Sequence, residues 1–379
     1  MNIYFDNAAT TRPFDEVREL MNRLMEEDYG NPSSLHMKGV DAEDHIKEAQ
    51  KTLCNILKCK DKELVFTSGG TESNNLALIG GALAKRRAGK HIISTGIEHA
   101  SVHAPLDFLK KEGYEITLVG TDSKGLIDPE EIASNIREDT ILVSCMLVNN
   151  EIGAVEPCGE IAKAIRAKKP DIYFHIDAVQ AFGKLPVIPK QLGCDLLSVS
   201  GHKIHGPKGS GFLYVKEKTL LRPIIYGGGQ QHDMRSGTEN VPAICGMGLA
   251  AKKIYDGFDA HVAHLTSLKE RLRTGLAALE NVYDNSGEAP HIASFSFVGV
   301  RSEVMLHALE DKGIFVSAGS ACSSNKPHVS NVLTCIALPK QRLESTLRFS
   351  FGAFNTEDEV DYTIKTIGEL LPVLRRYTR

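Results

Sequence analysis

Four short segments carry side chains whose types and spacing could do chemistry. In Phe66-Thr67-Ser68-Gly69-Gly70-Thr71-Glu72-Ser73-Asn74-Asn75 an apolar run enters two glycines, and Thr71 opens a helical pattern that continues through Leu76 and Leu78. Backbone N–H groups at a helix start, unblocked by side chains, make a cradle for a phosphate. A plain strand-to-helix turn has the same composition. His175-Ile176-Asp177 closes one apolar strand pattern, and Ser198-Val199-Ser200-Gly201-His202-Lys203 closes a later one. Ligands of parallel sheets bind at the carboxyl ends of strands, so Asp177 and Lys203 are expected on one crevice. An Asp that holds a ring nitrogen protonated and a Lys that condenses with an aldehyde are the pair pyridoxal chemistry requires. A structural Asp–Lys ion pair is the other reading of the same residues.

The fourth segment is Val316-Ser317-Ala318-Gly319-Ser320-Ala321-Cys322-Ser323-Ser324-Asn325-Lys326-Pro327. Small residues surround its thiol, whereas Cys145 in Val143-Ser144-Cys145-Met146-Leu147 has the bulky neighbours of a core cysteine. A thiol in a pliable loop is placed to react. Gly201-His202-Lys203-Ile204-His205-Gly206-Pro207-Lys208 does not form a nucleotide loop, because Pro207 follows the glycine where a P-loop needs its Lys. Cys54 and Cys59 have no second close pair to complete a zinc set, and His261 with His264 reads as a solvated pair on a helix.

The elements that must position these groups follow from apolar periodicity. Val17, Leu20, Met21, Leu24 and Met25 recur at helical spacing, as do Val40, Ile46, Ala49, Leu53 and Ile56. Short apolar runs then recur at 64–66, 91–93, 116–119, 141–143, 172–174 and 196–199, with segments of helical length between most of them. This alternation predicts an α/β fold, a mainly parallel sheet with helices on both faces. After about Ala250 the pattern changes to a charged helical stretch reaching about Glu280, an alternating strand at 292–298, and a last helix near the end. That portion reads as a smaller α+β unit.

With 379 residues, 42% apolar and 24% charged, the chain has the size of two domains and an ordinary globular composition. A net charge of −4 gives no electrostatic reason for direct nucleic-acid or membrane binding. Lys85-Arg86-Arg87 with Lys90 reads as a solvated helix end. The amino terminus lacks the basic start and apolar core of a signal peptide, and no apolar run has the length of a membrane span. Eight cysteines in such a chain are expected as reduced thiols in the cytoplasm.

Together these segments resemble the cysteine desulfurases of the nitrogen-fixation and iron–sulfur-cluster type, and the match spans nearly the whole chain. It is carried in order by Asp6-Asn7-Ala8-Ala9-Thr10-Thr11, Gly30-Asn31-Pro32, the 67–75 segment, Glu98-His99, Val148-Asn149-Asn150-Glu151-Ile152-Gly153, Asp177-Ala178-Val179-Gln180, the 200–203 segment, Arg235-Ser236-Gly237-Thr238, the 319–323 segment and Leu347-Arg348-Phe349-Ser350. The resemblance implies the aspartate-aminotransferase-like fold of pyridoxal-phosphate enzymes (fold type I). It implies a large cofactor-binding domain over 15–256 and a small domain from 1–14 and 257–379 carrying the cysteine loop.

It implies site roles as well. Lys203 carries pyridoxal 5′-phosphate covalently, Asp177 pairs with the ring nitrogen, His99 stacks on the ring and Gln180 contacts its phenolic oxygen. Gly70, Thr71, Ser200 and His202 hold the phosphate, and Thr238 reaches the phosphate of the neighbouring subunit in a homodimer. Asn150 and Arg348, with Asn31, receive the substrate, and His99 manages protons at the departing sulfur. Cys322 takes the sulfur of L-cysteine as a persulfide, leaving alanine, and passes it to an acceptor protein such as an iron–sulfur scaffold or a tRNA-thiolation enzyme. A transient cluster ligand is a further role for Cys322; no other metal ligand is implied. A thiol that visits both a buried cofactor and an outside acceptor requires a loop that moves.

Two departures stand out. Ala337 occupies a place where many relatives have Gly, and the chain stops at Arg379, short of the tail with which housekeeping relatives engage the scaffold, so the recipient stays open. A selenocysteine lyase or an aminotransferase of the same fold is the nearest alternative, though a transaminase has no use for Cys322. A non-catalytic sulfur carrier or assembly subunit is the alternative of another class, and it has no use for Lys203 and Asp177.

Overall fold

The computed structural model describes residues 2–318 and 330–376. The expected cysteine loop around Cys322 lies outside the described residues. A seven-stranded sheet runs in the spatial order Leu64–Thr67, Gly211–Val215, Leu196–Ser200, Tyr173–Asp177, Thr140–Met146, His91–Thr95, Glu115–Val119. All pairings are parallel except the two made by Gly211–Val215, which runs antiparallel to both neighbours. The six strands read from the sequence are present; Gly211–Val215 was not read. Its glycine matters locally, because a Cβ on Gly211 would lie 2.6 Å from the Cα of Gly69. The antiparallel strand thus brings two backbones into contact just where the Gly69-Gly70 turn begins.

The strands read as continuous apolar runs because both faces are covered. Phe212 and Tyr214 enter one core with Leu53, Phe182 and Ile254, whereas Leu213 and Val215 enter another with Leu76 and Ala77. Helices Asp15–Glu26, Met37–Leu57 and Val241–Tyr255 pack together over the first face. Leu78, Val102 and Leu106 cover strand residues Ile92 and Leu142 in a separate cluster.

A second, antiparallel sheet has the order Ser317–Ala318, Thr346–Ser350, Ile292–Phe297, Val282–Asp284. Its core joins Phe295, Phe297 and Phe349 to Leu265, Leu272, Val360 and Ile367 from helices Phe258–Ala277 and Glu357–Leu374. Ile3 and Phe5 belong to this core, and Ile3–Tyr4 pairs in parallel with Ile314–Phe315. The helical stretch expected from 250 to 280 is two helices, Val241–Tyr255 and Phe258–Ala277, divided at Asp256-Gly257. His261 and His264 are not the solvated pair expected. His264 Nε2 donates to the Asn355 carbonyl at 3.0 Å, and burial lowers the pKa of His261 to about 4. Among the described residues no cluster of His, Cys, Asp and Glu could hold a metal ion, and no helix is long and apolar enough to cross a membrane.

Candidate active site

Asp177 ends Tyr173–Asp177, and Ser200 ends its parallel neighbour Leu196–Ser200. A single 3-10 turn, Gly201–Lys203, then carries Lys203 back over the strand ends. Both side chains line one cavity of about 490 Å³, together with Gly70, Thr71, His99, Asn150, Gln180, Ser200, His202 and Arg348. The cavity therefore gathers, around the carboxyl ends of parallel strands, these residues from six separate stretches of sequence.

The Gly69-Gly70 turn is built for close approach. Gly69 has φ +150°, and a Cβ on Gly70 would meet Val179 Cγ2 at 2.7 Å. The helix Gly70–Asn75 runs on through a π turn, Leu76–Gly80, into Gly81–Lys85, so its first N–H groups are the unmatched donors of a longer rod. His202 and Lys208 stand on the same wall. Burial first, then the Lys203, Lys208 and Lys184 cations, lowers the pKa of His202 to about 4, so it serves as a neutral hydrogen-bonding ring held by Thr10 Oγ1 at 3.1 Å. An N–H cradle among cations, a buried carboxylate and an amine on one cavity fit the donor set of pyridoxal 5′-phosphate.

Lys203 Nζ donates to the carbonyls of Ala8 at 2.6 Å and Ala9 at 2.7 Å, and Gln180 Nε2 donates to Ala8 at 2.9 Å. Ala8 and Ala9 thus form part of the wall of the site. Lys184, buried, donates from Nζ to the carbonyl of Lys203 at 2.5 Å; burial, aided by the Lys203 charge, lowers its pKa to about 7. Arg348 is 4% exposed and donates to the Asn150 carbonyl and to Asp6, each at 2.7 Å.

Asp177 is held on both oxygens: Oδ1 accepts from Val179 N–H at 2.9 Å and Oδ2 from Asn74 Nδ2 at 2.7 Å. His99 caps the helix Ala100–Lys111, its Nδ1 accepting from Ser101 N–H at 3.1 Å. Burial lowers the pKa of His99, the Lys203 charge adds to this, and Asp177 opposes it. Asn74, Ser101, Asp6 and Lys184 were not assigned site roles from the sequence. Asn74 and Asp6 sit in quoted motif stretches, but nothing in their spacing says that they face Asp177 and Arg348. Two expected residues, Asn31 and Thr238, are exposed and do not line the cavity; Cys322 lies outside the described residues.

The class-V aminotransferase family matches residues 3–363. The chain is 42% identical over 377 residues to the cysteine desulfurase IscS of Dictyoglomus turgidum, covering 98% of this chain and 95% of that one. It is 40% identical over 376 residues to the cysteine desulfurase IscS of Methanosarcina thermophila, covering 98% and 93%. Among solved structures, a NifS-like protein superposes with a TM-score of 0.94 at 35% identity, covering 99% of this chain and all of the other.

Proposed function

The chain belongs to the class-V aminotransferase family and within it to the cysteine desulfurases, pyridoxal-phosphate enzymes, and from that premise we propose how its residues divide the work. The observation that carries the reading is the meeting of Lys203, Asp177 and the Gly69-Gly70-Thr71 cradle on one cavity. When bound, pyridoxal 5′-phosphate supplies an electron sink that makes the bonds around the amino-acid α-carbon labile.

The protein's part is to hold, orient and move protons. Lys203 is the attachment amine, and Asp177 faces the ring nitrogen. Gly70, Thr71, Ser200 and His202 hold the phosphate, and Gln180 meets the phenolic oxygen. Arg348 and Asn150 take the substrate carboxylate; Arg348 is suited to this because its planar fork pairs with a carboxylate at two points. Asn31 does not line the cavity of a single chain, so a substrate role for it requires approach from a second subunit. His99, neutral because of its burial, covers the ring and handles the proton at the departing sulfur. The Cys322 thiolate attacks that sulfur, so that cysteine and a thiol become alanine and an enzyme persulfide.

Thr238 completes the phosphate site of a second subunit. It is exposed in a segment, 218–240, that also presents Leu220 at 70% and Tyr226 at 77% exposure, apolar surface suited to a homodimer interface. The persulfide passes to an acceptor protein in the cytoplasm, an iron–sulfur scaffold or a thiolation enzyme. Residues 1–14 and 257–379 act as the small domain beside 15–256. The test is to add L-cysteine to the purified protein, quantify alanine, and map added sulfur by peptide mass analysis. Alanine with a persulfide on the Cys322 peptide is the expected result; alanine with sulfur on another cysteine overturns the assignment.

A further inference from the structure

We propose that Asn74 is a positioning residue of this site, its one side-chain amide orienting both the carboxylate of Asp177 and, through Ser101, the imidazole of His99. The inference rests on the cavity being the pyridoxal 5′-phosphate site and adds a member to it.

Asn74 is 0% exposed and lies one helical turn after Thr71. Its Nδ2 carries two hydrogens and both are used: one reaches Asp177 Oδ2 at 2.7 Å, the other Ser101 Oγ at 2.9 Å. The amide cannot be turned over, since that would set Oδ1 against a carboxylate oxygen, acceptor against acceptor. An amide nitrogen does not accept, so the Ser101 hydroxyl accepts from it and sends its own hydrogen to His99 Nδ1, 2.8 Å away. The Ser101 N–H reaches the same nitrogen at 3.1 Å. With two donors on Nδ1, neutral His99 carries its proton on Nε2. The amide fixes the direction of its bonds to Asp177 and Ser101, and the Ser101 N–H on Nδ1 fixes that of the Ser101–His99 bond, so the chain Asp177, Asn74, Ser101, His99 has one hydrogen arrangement. Asn74 Oδ1 has no partner among the described residues, so the side chain is not kept buried for its acceptor.

Three variants separate this role from plain packing. The readouts are His99 titration by nitrogen NMR on histidine-labelled holoenzyme, assigned with His99→Gln, and retention of the cofactor on dilution. Ser101→Ala removes the hydroxyl donor and leaves the Asn74–Asp177 bond. His99 should titrate at higher pH while cofactor retention stays as in the wild type. Asn74→Ala removes a donor to Asp177 without adding charge, and the cofactor should be held roughly tenfold more weakly or worse. Asn74→Asp cannot donate to Asp177 and draws the Ser101 hydrogen away from His99, so both readouts should move. If Asn74→Asp does not fold, the other two carry the test. Should His99 titration ignore Ser101→Ala and cofactor retention ignore Asn74→Ala, Asn74 is packing only and the proposal is wrong. A wild-type protein that binds no cofactor overturns the reading of the cavity itself, a failure visible before any variant is made.

Discussion

Arg348 Nη2 lies 2.7 Å from Asp6 Oδ1, although 342 residues separate them in the chain. Arg348 is buried and Asp6 half-buried, with side-chain exposures of 5% and 22%, and Arg348 Nη1 is taken by the Asn150 carbonyl. Nε has no partner among the described residues. An Arg anchored from behind in this way holds its plane fixed before a substrate arrives, so little order is lost on binding.

Replacing it should be costly in binding. Arg348→Ala removes a charge-assisted contact of about 2 kcal/mol, or roughly thirtyfold in kcat/KM for cysteine. Arg348→Lys keeps the charge without the fork and should fall between the two. Steady-state alanine release measures both, and an Arg348→Ala enzyme of undiminished efficiency rules the role out.

Lys203→Ala should leave a folded protein, because the Lys203 amine donates to the backbone carbonyls of Ala8 and Ala9 at the cavity rather than packing into the core. The purified protein should lose its yellow colour and its turnover, with cofactor removable by gel filtration. Full alanine production by this variant rules out Lys203 as the attachment site.

The two carboxyl-terminal thiols should behave differently. Burial raises the pKa of Cys335, whose Sγ points to the Gly96 carbonyl at 3.6 Å, so it is a poor source of thiolate. Cys322→Ser should still bind cofactor and cysteine but form no persulfide and release almost no sulfide; Cys335→Ser should work normally. The reverse pattern shows that Cys335 is the acceptor.

Glu98 adds a pH dependence to stability. It is 5% exposed, and burial, with the nearby Asp177 charge, raises its pKa to about 8. The folded state then holds a proton that the unfolded chain releases near pH 4.5, so the stability is present below that pH and is lost as pH rises toward 8. Glu98→Gln, neutral throughout, should flatten that loss by on the order of 5 kcal/mol. Thermal unfolding at pH 5 and pH 9 checks it, and parallel curves for the two proteins count against the idea.

Ala337 bears on stability alone. The helix Asn331–Cys335 ends with Leu338 N–H on the Leu333 carbonyl and Ala337 N–H on that of Thr334, a pattern whose closing residue must be left-handed. Ala337 sits there with φ +55°. Ala337→Gly should relieve the Cβ strain and raise stability by about 1 kcal/mol, read as a higher Tm with unchanged activity. An unchanged or lower Tm contradicts it.

Much of this protein is decided locally and so is readable along the chain. The apolar runs before Asp177 and Ser200 are strands whichever neighbours they find, and the glycines at 69 and 70 announce a turn through their missing side chains. The motifs therefore identify the family, the cofactor chemistry and most of the cavity wall. What the sequence leaves open depends on distance in space. The strand Gly211–Val215 takes its direction from two partners rather than from its own residues, and Thr238 and Asn31 do not line the cavity of a single chain. Asp6 behind Arg348, Lys184 behind Lys203, and Asn74 between Asp177 and Ser101 look like ordinary polar residues in a row of letters. Their partners lie 342, 19, 103 and 27 positions away, and a hydrogen bond has no periodicity to report such separations. Only closure of the sheet and its covering helices brings these groups together, in a buried space where each must find a partner or lose the stability of its hydration.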